Sequence, residues 1–169
     1  MQYTKIGNVK DPKANRDEDV AIDFFIPNDW NDGKPYILRI GEQVNIPSGI
    51  KTLFNNDLGL IGLSKSSVAT CKGCIFGAHV IDSGYRNQIH LNLLKVVRGS
   101  KDIRVRRRGL LGWLGFKEWA TVLEPGEKII QFGLFKISNE DLIEISNKAY
   151  EKAPKSKRGL GGFGSTGVK

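Results

Sequence analysis

The apolar residues of this chain come in short runs, and almost every run is closed by a turn signal. The runs fall at Val20–Ile26, Tyr36–Ile40, Gln43–Pro47, Ile50–Phe54, Leu58–Leu63, Cys74–Val80, Gln88–Val96, Trp119–Leu123 and Lys128–Ile137. Between them stand Asn31-Asp32-Gly33, Pro47-Ser48-Gly49, Asn55-Asn56-Asp57 and Pro125-Gly126. Asn, Asp and Gly tolerate the backbone angles of tight turns, and Pro fixes one of them. Helical periodicity is scarce. A chain so punctuated is expected to be all-β, a sandwich or barrel of short strands.

One segment reads two ways. Ser138-Asn139-Glu140-Asp141 has the form of a capping box, with Leu142, Ile145 and Ala149 on one helical face. Leu142–Ile145 can equally be a short strand, so residues 139–150 stay open between helix and strand.

With 169 residues the chain has room for one domain and a real core. Hydrophobic residues at 40% and charged residues at 26% are ordinary for a globular protein and exclude a mostly disordered one. No apolar run approaches the ~18–20 residues that span a bilayer. Met1-Gln2-Tyr3-Thr4-Lys5 has no apolar stretch of secretory type. A cytoplasmic location is expected. Two cysteines make no disulfide framework. Cys71-Lys72-Gly73-Cys74 lacks the second ligand pair that a zinc site needs, so buried structural thiols are expected.

The net charge of +8 is concentrated. Residues 98–117 hold seven basic residues and one acid, and residues 152–169 hold five basic residues and no acid. The remainder is slightly acidic. This suggests local anion binding rather than a nucleic-acid coat.

The second basic segment ends in Arg158-Gly159-Leu160-Gly161-Gly162-Phe163-Gly164-Ser165-Thr166-Gly167. Ordering each backbone residue costs ~1–2 kcal/mol, which so glycine-rich a stretch cannot recover by itself. Its composition is nevertheless chemical. Glycine lets backbone N–H groups approach an anion, and Ser165 and Thr166 add hydroxyl donors. Arg158 offers a charged fork for phosphate, and Phe163 a face on which a base can stack. Phosphate and base together make a nucleotide.

Five separated segments resemble, in order, the five motifs of the trimeric dUTP pyrophosphatases. They are Val20–Phe24, Ser64–Ala69, Val80–Arg86, Pro125–Gln131 and the glycine-rich tail. The resemblance implies a jelly-roll-like β-barrel with one short helix after the second motif and a flexible C-terminal arm. It also implies a homotrimer whose active sites are shared between subunits. The domain is then 1–152, with the arm at 153–169.

It implies roles as well. Asp82 would be the general base that orients water toward the α-phosphorus, a modest base whose work is largely positioning. Tyr85 would pack on the deoxyribose and exclude a 2′-hydroxyl. Ser66 and Ser67 would open the helix of the second motif, ending near Lys72 at Gly73, where they meet phosphate. Lys65 replaces the usual arginine, keeping the charge and losing the planar fork. Gln131 would face the phosphates. Phe76, Gly77 and Ile81 belong to the base-binding hairpin over residues 74–82. Arg158, Gly164, Ser165 and Thr166 would hold the outer phosphates, with Phe163 over the base, and Asp23 would organise the surrounding polar groups. Mg²⁺ would arrive on the triphosphate, held by its oxygens and water.

Two departures keep other readings open. Phe76 stands where the family usually has Asn or Asp, and Ala78–Tyr85 also resembles the related dCTP deaminases. Those need a glutamate where this chain has Asn92, which cannot move protons near neutral pH. The second departure is the basic stretch at 98–119, longer than the family's loop. It is expected to be a hairpin arm packed on its own trimer. Contact with nucleic acid, a partner or a membrane surface is less favoured, and a non-catalytic homologue binding through it is the remaining alternative.

Overall fold

The computed structural model describes residues 1–14, 16–138 and 143–154. The chain divides into two units, Met1–Ser138 and Asn139–Lys169. The first contains β1 (Gln2–Lys5), β2 (Ile22–Phe25), β3 (Tyr36–Arg39), β4 (Gln43–Pro47), β5 (Ile50–Leu53), β6 (Leu58–Ser64), α1 (Ser66–Lys72), β7 (Cys74–Phe76), β8 (Val80–Ile81), β9 (His90–Lys95), β10 (Ile103–Arg106), α2 (Gly109–Trp113), β11 (Lys117–Leu123) and β12 (Lys128–Lys136). The second contains α3 (Asn147–Glu151), whose N-cap Ser146 accepts a hydrogen bond from the Ala149 N–H.

The strands form four ladders, ordered β1-β5, β10-β11-β3, β2-β12-β6-β8 and β4-β9-β7, and every pairing is antiparallel. This is the all-β, jelly-roll-like class expected, although the ladders do not close into a continuous barrel. Where the apolar runs alternate, the strands follow them closely. Two differences are instructive. The run Cys74–Val80 is not one strand: β7 joins β9, the chain leaves the ladder at Gly77, and β8 joins β6 in a different sheet. In the ambiguous segment a helix does occur, but it begins at Asn147 and is capped by Ser146 rather than Ser138; residues 139–142 lie outside those described.

The core is a layer of aliphatic side chains around three aromatic rings. Phe132 meets Phe24 edge-on at 4.8 Å and Phe76 at 5.5 Å. All three are buried. Gly62 on β6 lies directly under Phe76, so any Cβ there would overlap the ring. Helix α1 stops at Gly73, which takes the left-handed conformation (φ 60°) that glycine adopts without strain.

One charged pair sits inside the fold. Lys95 Nζ lies 2.7 Å from Asp102 Oδ2, and both side chains are fully buried. Lys95 also donates to the carbonyls of Lys72 (2.6 Å) and Val97 (3.0 Å), while Asp102 accepts from the Gly99 N–H at 3.1 Å. These bonds fasten the root of the following arm to the last turn of α1.

Candidate functional site

Asp23 is the centre of the cleft that carries most of the polar chemistry. It lies on β2, 2% exposed, because both strand edges hold it. On one edge its N–H and carbonyl bond to Lys13 (3.0 and 3.3 Å); on the other it stands opposite Gln131 of β12. Its carboxylate receives Lys65 Nζ at 2.9 Å and lies 3.3 Å from Lys128 Nζ. Lys65 is the residue before the first turn of α1, in extended conformation, which aims its side chain back across the sheet end.

Around this pair of lysines opens a cleft of about 680 Å³ lined by Arg16, Asp19, Val20, Ala21, Asp23, Lys65, Ser66, Lys128 and Gln131. Residues from the first, second and fourth of the sequence motifs therefore share one wall. Asp23, Lys65, Ser66 and Gln131 come together as the sequence suggested. Ser67 follows on the exposed first turn of α1. Arg16, Asp19 and Lys128 were not anticipated.

Lys128 is the instructive omission. Strand alternation sends residues an odd number apart to opposite faces, so Lys128 and Gln131 should diverge. The register shifts between Lys128 and Ile130, however, so that Lys128 faces Phe25 while Ile130 faces Phe24. This bulge inserts one residue and brings Lys128 to the Asp23–Gln131 face. The adjacent pair Ile129-Ile130, both fully buried, is its sequence trace.

Asp82 and Tyr85 lie elsewhere on the chain. Ile81, half-buried, is opposite Leu60 on β6, and Asp82 follows on an exposed turn closed by the Tyr85 N–H donating to the Asp82 carbonyl at 3.0 Å. The Tyr85 hydroxyl donates to the Gln88 carbonyl (3.1 Å), so its ring stands at the surface on a fixed stalk. Gly77 bonds through its N–H to the Asn92 carbonyl at 2.9 Å. A Cβ at Gly77 would overlap Asn92 Oδ1 and Leu94 Cδ1, so a larger residue here would have to displace those two side chains. Phe76, expected among the substrate contacts, turns its ring into the core; it can offer this hairpin backbone only. The expected tail contacts Arg158, Phe163, Gly164, Ser165 and Thr166 lie outside the described residues.

Asp82 is level with Gly59 in the β6–β8 register, and Lys65 follows Ser64 at the other end of β6. Five residue steps at ~3.3–3.4 Å each set these two ends ~17 Å apart along the strand.

Among the described residues, no three His, Cys, Asp or Glu side chains gather as a metal cage. The one buried carboxylate of the cleft, Asp23, is engaged by two ammonium groups. The thiols are free. Burial pushes the Cys74 thiol up to about 11, which keeps it protonated and inert at neutral pH, while Cys71 is half-buried.

No family model matches the chain. It is 29% identical over 140 residues to a deoxyuridine 5′-triphosphate nucleotidohydrolase of Candida albicans, covering 78% of this chain and 74% of that one. It is 26% identical over 162 residues to the enzyme of the same name from Clostridium tetani, covering 95% and 90%. The fold matches the dUTPase of Staphylococcus bacteriophage 80alpha, solved with dUpNHpp, with a TM-score of 0.75 over 99% of this chain and 98% of that one at 20% identity. It also matches the dUTPase of the S. aureus phage phi11, a structure described for its structural Mg(II) ion, with a TM-score of 0.66 over 86% and 96% at 16% identity.

Proposed function

We propose that this chain, which is similar to dUTPases in sequence and in fold, is itself a dUTPase and hydrolyses dUTP to dUMP and pyrophosphate. The observation that carries the reading is the convergence of Asp23, Lys65, Ser66 and Gln131 on one cationic cleft. Phosphoryl chemistry asks a protein mainly for positioning and for charge on the phosphate oxygens. Lys65 and Lys128 supply that charge, and Asp23 keeps both ammonium groups from swinging into solvent. Ser66 and Gln131 add neutral donors.

Asp82 orients a water toward the α-phosphorus. The new P–O bond forms as the bond to the bridging oxygen of the β-phosphate breaks; pyrophosphate leaves, and the water's proton passes through Asp82 to solvent. Tyr85 stacks on the sugar and leaves no space for a 2′-hydroxyl. Gly77 and Ile81 shape the base pocket. A hard cation such as Mg²⁺, arriving with the substrate, would supply charge neutralisation of the leaving pyrophosphate beside Lys65 and Lys128. The tail residues Arg158, Phe163, Gly164, Ser165 and Thr166 cover the bound nucleotide.

Asp82 and Lys65 lie beyond opposite ends of β6, about 17 Å apart along the strand, in different parts of one chain. This placement supports a site assembled between copies, with Asp82 and Tyr85 from one subunit facing Lys65, Ser66 and Gln131 of another. The assembly is a homotrimer in this reading. Deamination is disfavoured, since Asn92 stands where a proton-transferring glutamate would be required and its amide packs on Gly77.

A screen of pyrophosphate release across dUTP, dCTP, dTTP and UTP tests the proposal. It expects fast release from dUTP and slow release from UTP. Ammonia from dCTP would instead make the chain a deaminase. Nucleic-acid retardation without turnover of any nucleotide would make it a binding homologue.

A further inference from the structure

The arm between β9 and β12 has a stem that packs and a tip that does not. In the stem, β10 pairs with β11, and β11 with β3. The Arg98 guanidinium lies 3.6 Å from the Trp119 ring, and Arg104 stacks on the same ring at 5.1 Å. Arg107 pairs with Glu118 at 3.4 Å and Arg108 with Glu42 at 2.8 Å. The tip, by contrast, exposes Leu110 (71%), Trp113 (79%), Leu114 (54%) and Phe116 (55%). A cluster of this kind marks an interaction surface.

Three features say what covers it. Residues 109–116 carry no polar side chain except the Trp113 indole, a composition suited to an apolar medium with one amphipathic ring at its edge. Residues 103–117 hold five cations (Arg104, Arg106, Arg107, Arg108 and Lys117) and no acid, flanking the apolar tip on both sides. The tip's backbone is also closed on itself. Leu114 donates to Leu110 (2.9 Å), Gly115 to Gly112 (3.0 Å), Phe116 to Leu111 (3.0 Å) and Arg107 to Phe116 (3.0 Å). The N–H groups of Leu114, Gly115 and Phe116 are paired within the tip, so this half of it can leave water without orphaning them, a condition that an apolar medium imposes.

We propose that this tip inserts into the surface of an anionic lipid bilayer. Leu110, Leu111, Leu114 and Phe116 enter the acyl boundary, and Trp113 sits at headgroup level, where its amphipathic ring belongs. Arg106 and Lys117 reach the headgroup phosphates, with their stems along the apolar layer, while Arg104, Arg107 and Arg108 keep their contacts with Trp119, Glu118 and Glu42. A bare nucleic-acid site would use the cations and leave four large apolar side chains in water.

Flotation of the full chain with phosphatidylcholine vesicles, with and without phosphatidylserine, tests this. The protein should float with the anionic vesicles, lose them as salt rises, and show a blue shift in tryptophan emission. Trp113→Phe should keep flotation and remove most of the shift. Leu110→Ser with Trp113→Ser should reduce vesicle partitioning about tenfold or more, with dUTP turnover within twofold and native mass unchanged. Absence of flotation would overturn the proposal, as would flotation indifferent to the double substitution. A changed native mass in the double variant would show the tip to be a contact between copies. Salt-sensitive DNA binding without flotation would make the arm a nucleic-acid contact.

Discussion

The Lys128 ammonium reaches the Asp23 carboxylate at 3.3 Å because β12 carries an extra residue between Lys128 and Ile130. With Lys65 at 2.9 Å on the other oxygen, a nearly buried carboxylate holds two cations at the rim of the cleft. Asp23→Asn keeps the shape and removes the charge. It should lower stability by about 1–3 kcal/mol, the range for a charge-assisted bond lost from a buried group. Urea denaturation measures this. The KM for dUTP should rise more than kcat falls, because the loosened lysines serve phosphate binding.

Asp82→Asn should leave dUpNHpp affinity nearly intact and reduce turnover ~10²–10⁴-fold, the usual contribution of a general base. A shared site adds a sharper outcome. Mixed and reassembled Asp82→Asn and Lys65→Met chains should regain activity, since some sites then draw both native residues from different copies. Two inactive parents that stay inactive when mixed would place both residues in one chain's site.

Gly77→Ala forces a Cβ into Asn92 and Leu94. Overpacking of this kind costs ~1–3 kcal/mol. In the proposed reading this segment is the base hairpin, so dUTP affinity should fall together with melting temperature. Alanine at Gly84, where nothing lies within 4 Å, should do neither.

The Lys95–Asp102 pair is fully buried, so removing one partner strands the other. Lys95→Met should cost about 3–5 kcal/mol in urea denaturation. Adding Asp102→Leu should recover much of that loss, because two apolar side chains need no solvation.

Deleting residues 158–169 should abolish dUTP hydrolysis while circular dichroism and native mass of the remainder persist. The segment has too much glycine to build core and the donor chemistry to cover a triphosphate. Full activity in the truncated chain would make it a bystander.

Much of the fold was legible where one face of a strand is buried. Gln43–Pro47 was read to the residue, and Ile50–Phe54 and Lys128–Ile137 to within one, because short apolar runs closed by turn residues mark strands even where a bulge breaks the alternation. Helix α1 was legible from its serines and from Gly73. Strand β1 was not, since all four of its residues are exposed and only pairing with β5 makes it a strand. The hairpin expected within 98–119 is present as β10 paired with β11, although the bounds of β10 were not read.

The sequence by itself determined the strand-rich class and the order of the polar motifs, because composition and local period act on neighbours along the chain. Only the tertiary structure decided that Phe76 turns inward, that Lys128 turns toward Asp23, and that Asp82 and Lys65 stand at opposite ends of β6. Each of these follows from strand register. Register is fixed by partners remote in sequence, and a shift of one residue changes the face on which every later side chain emerges.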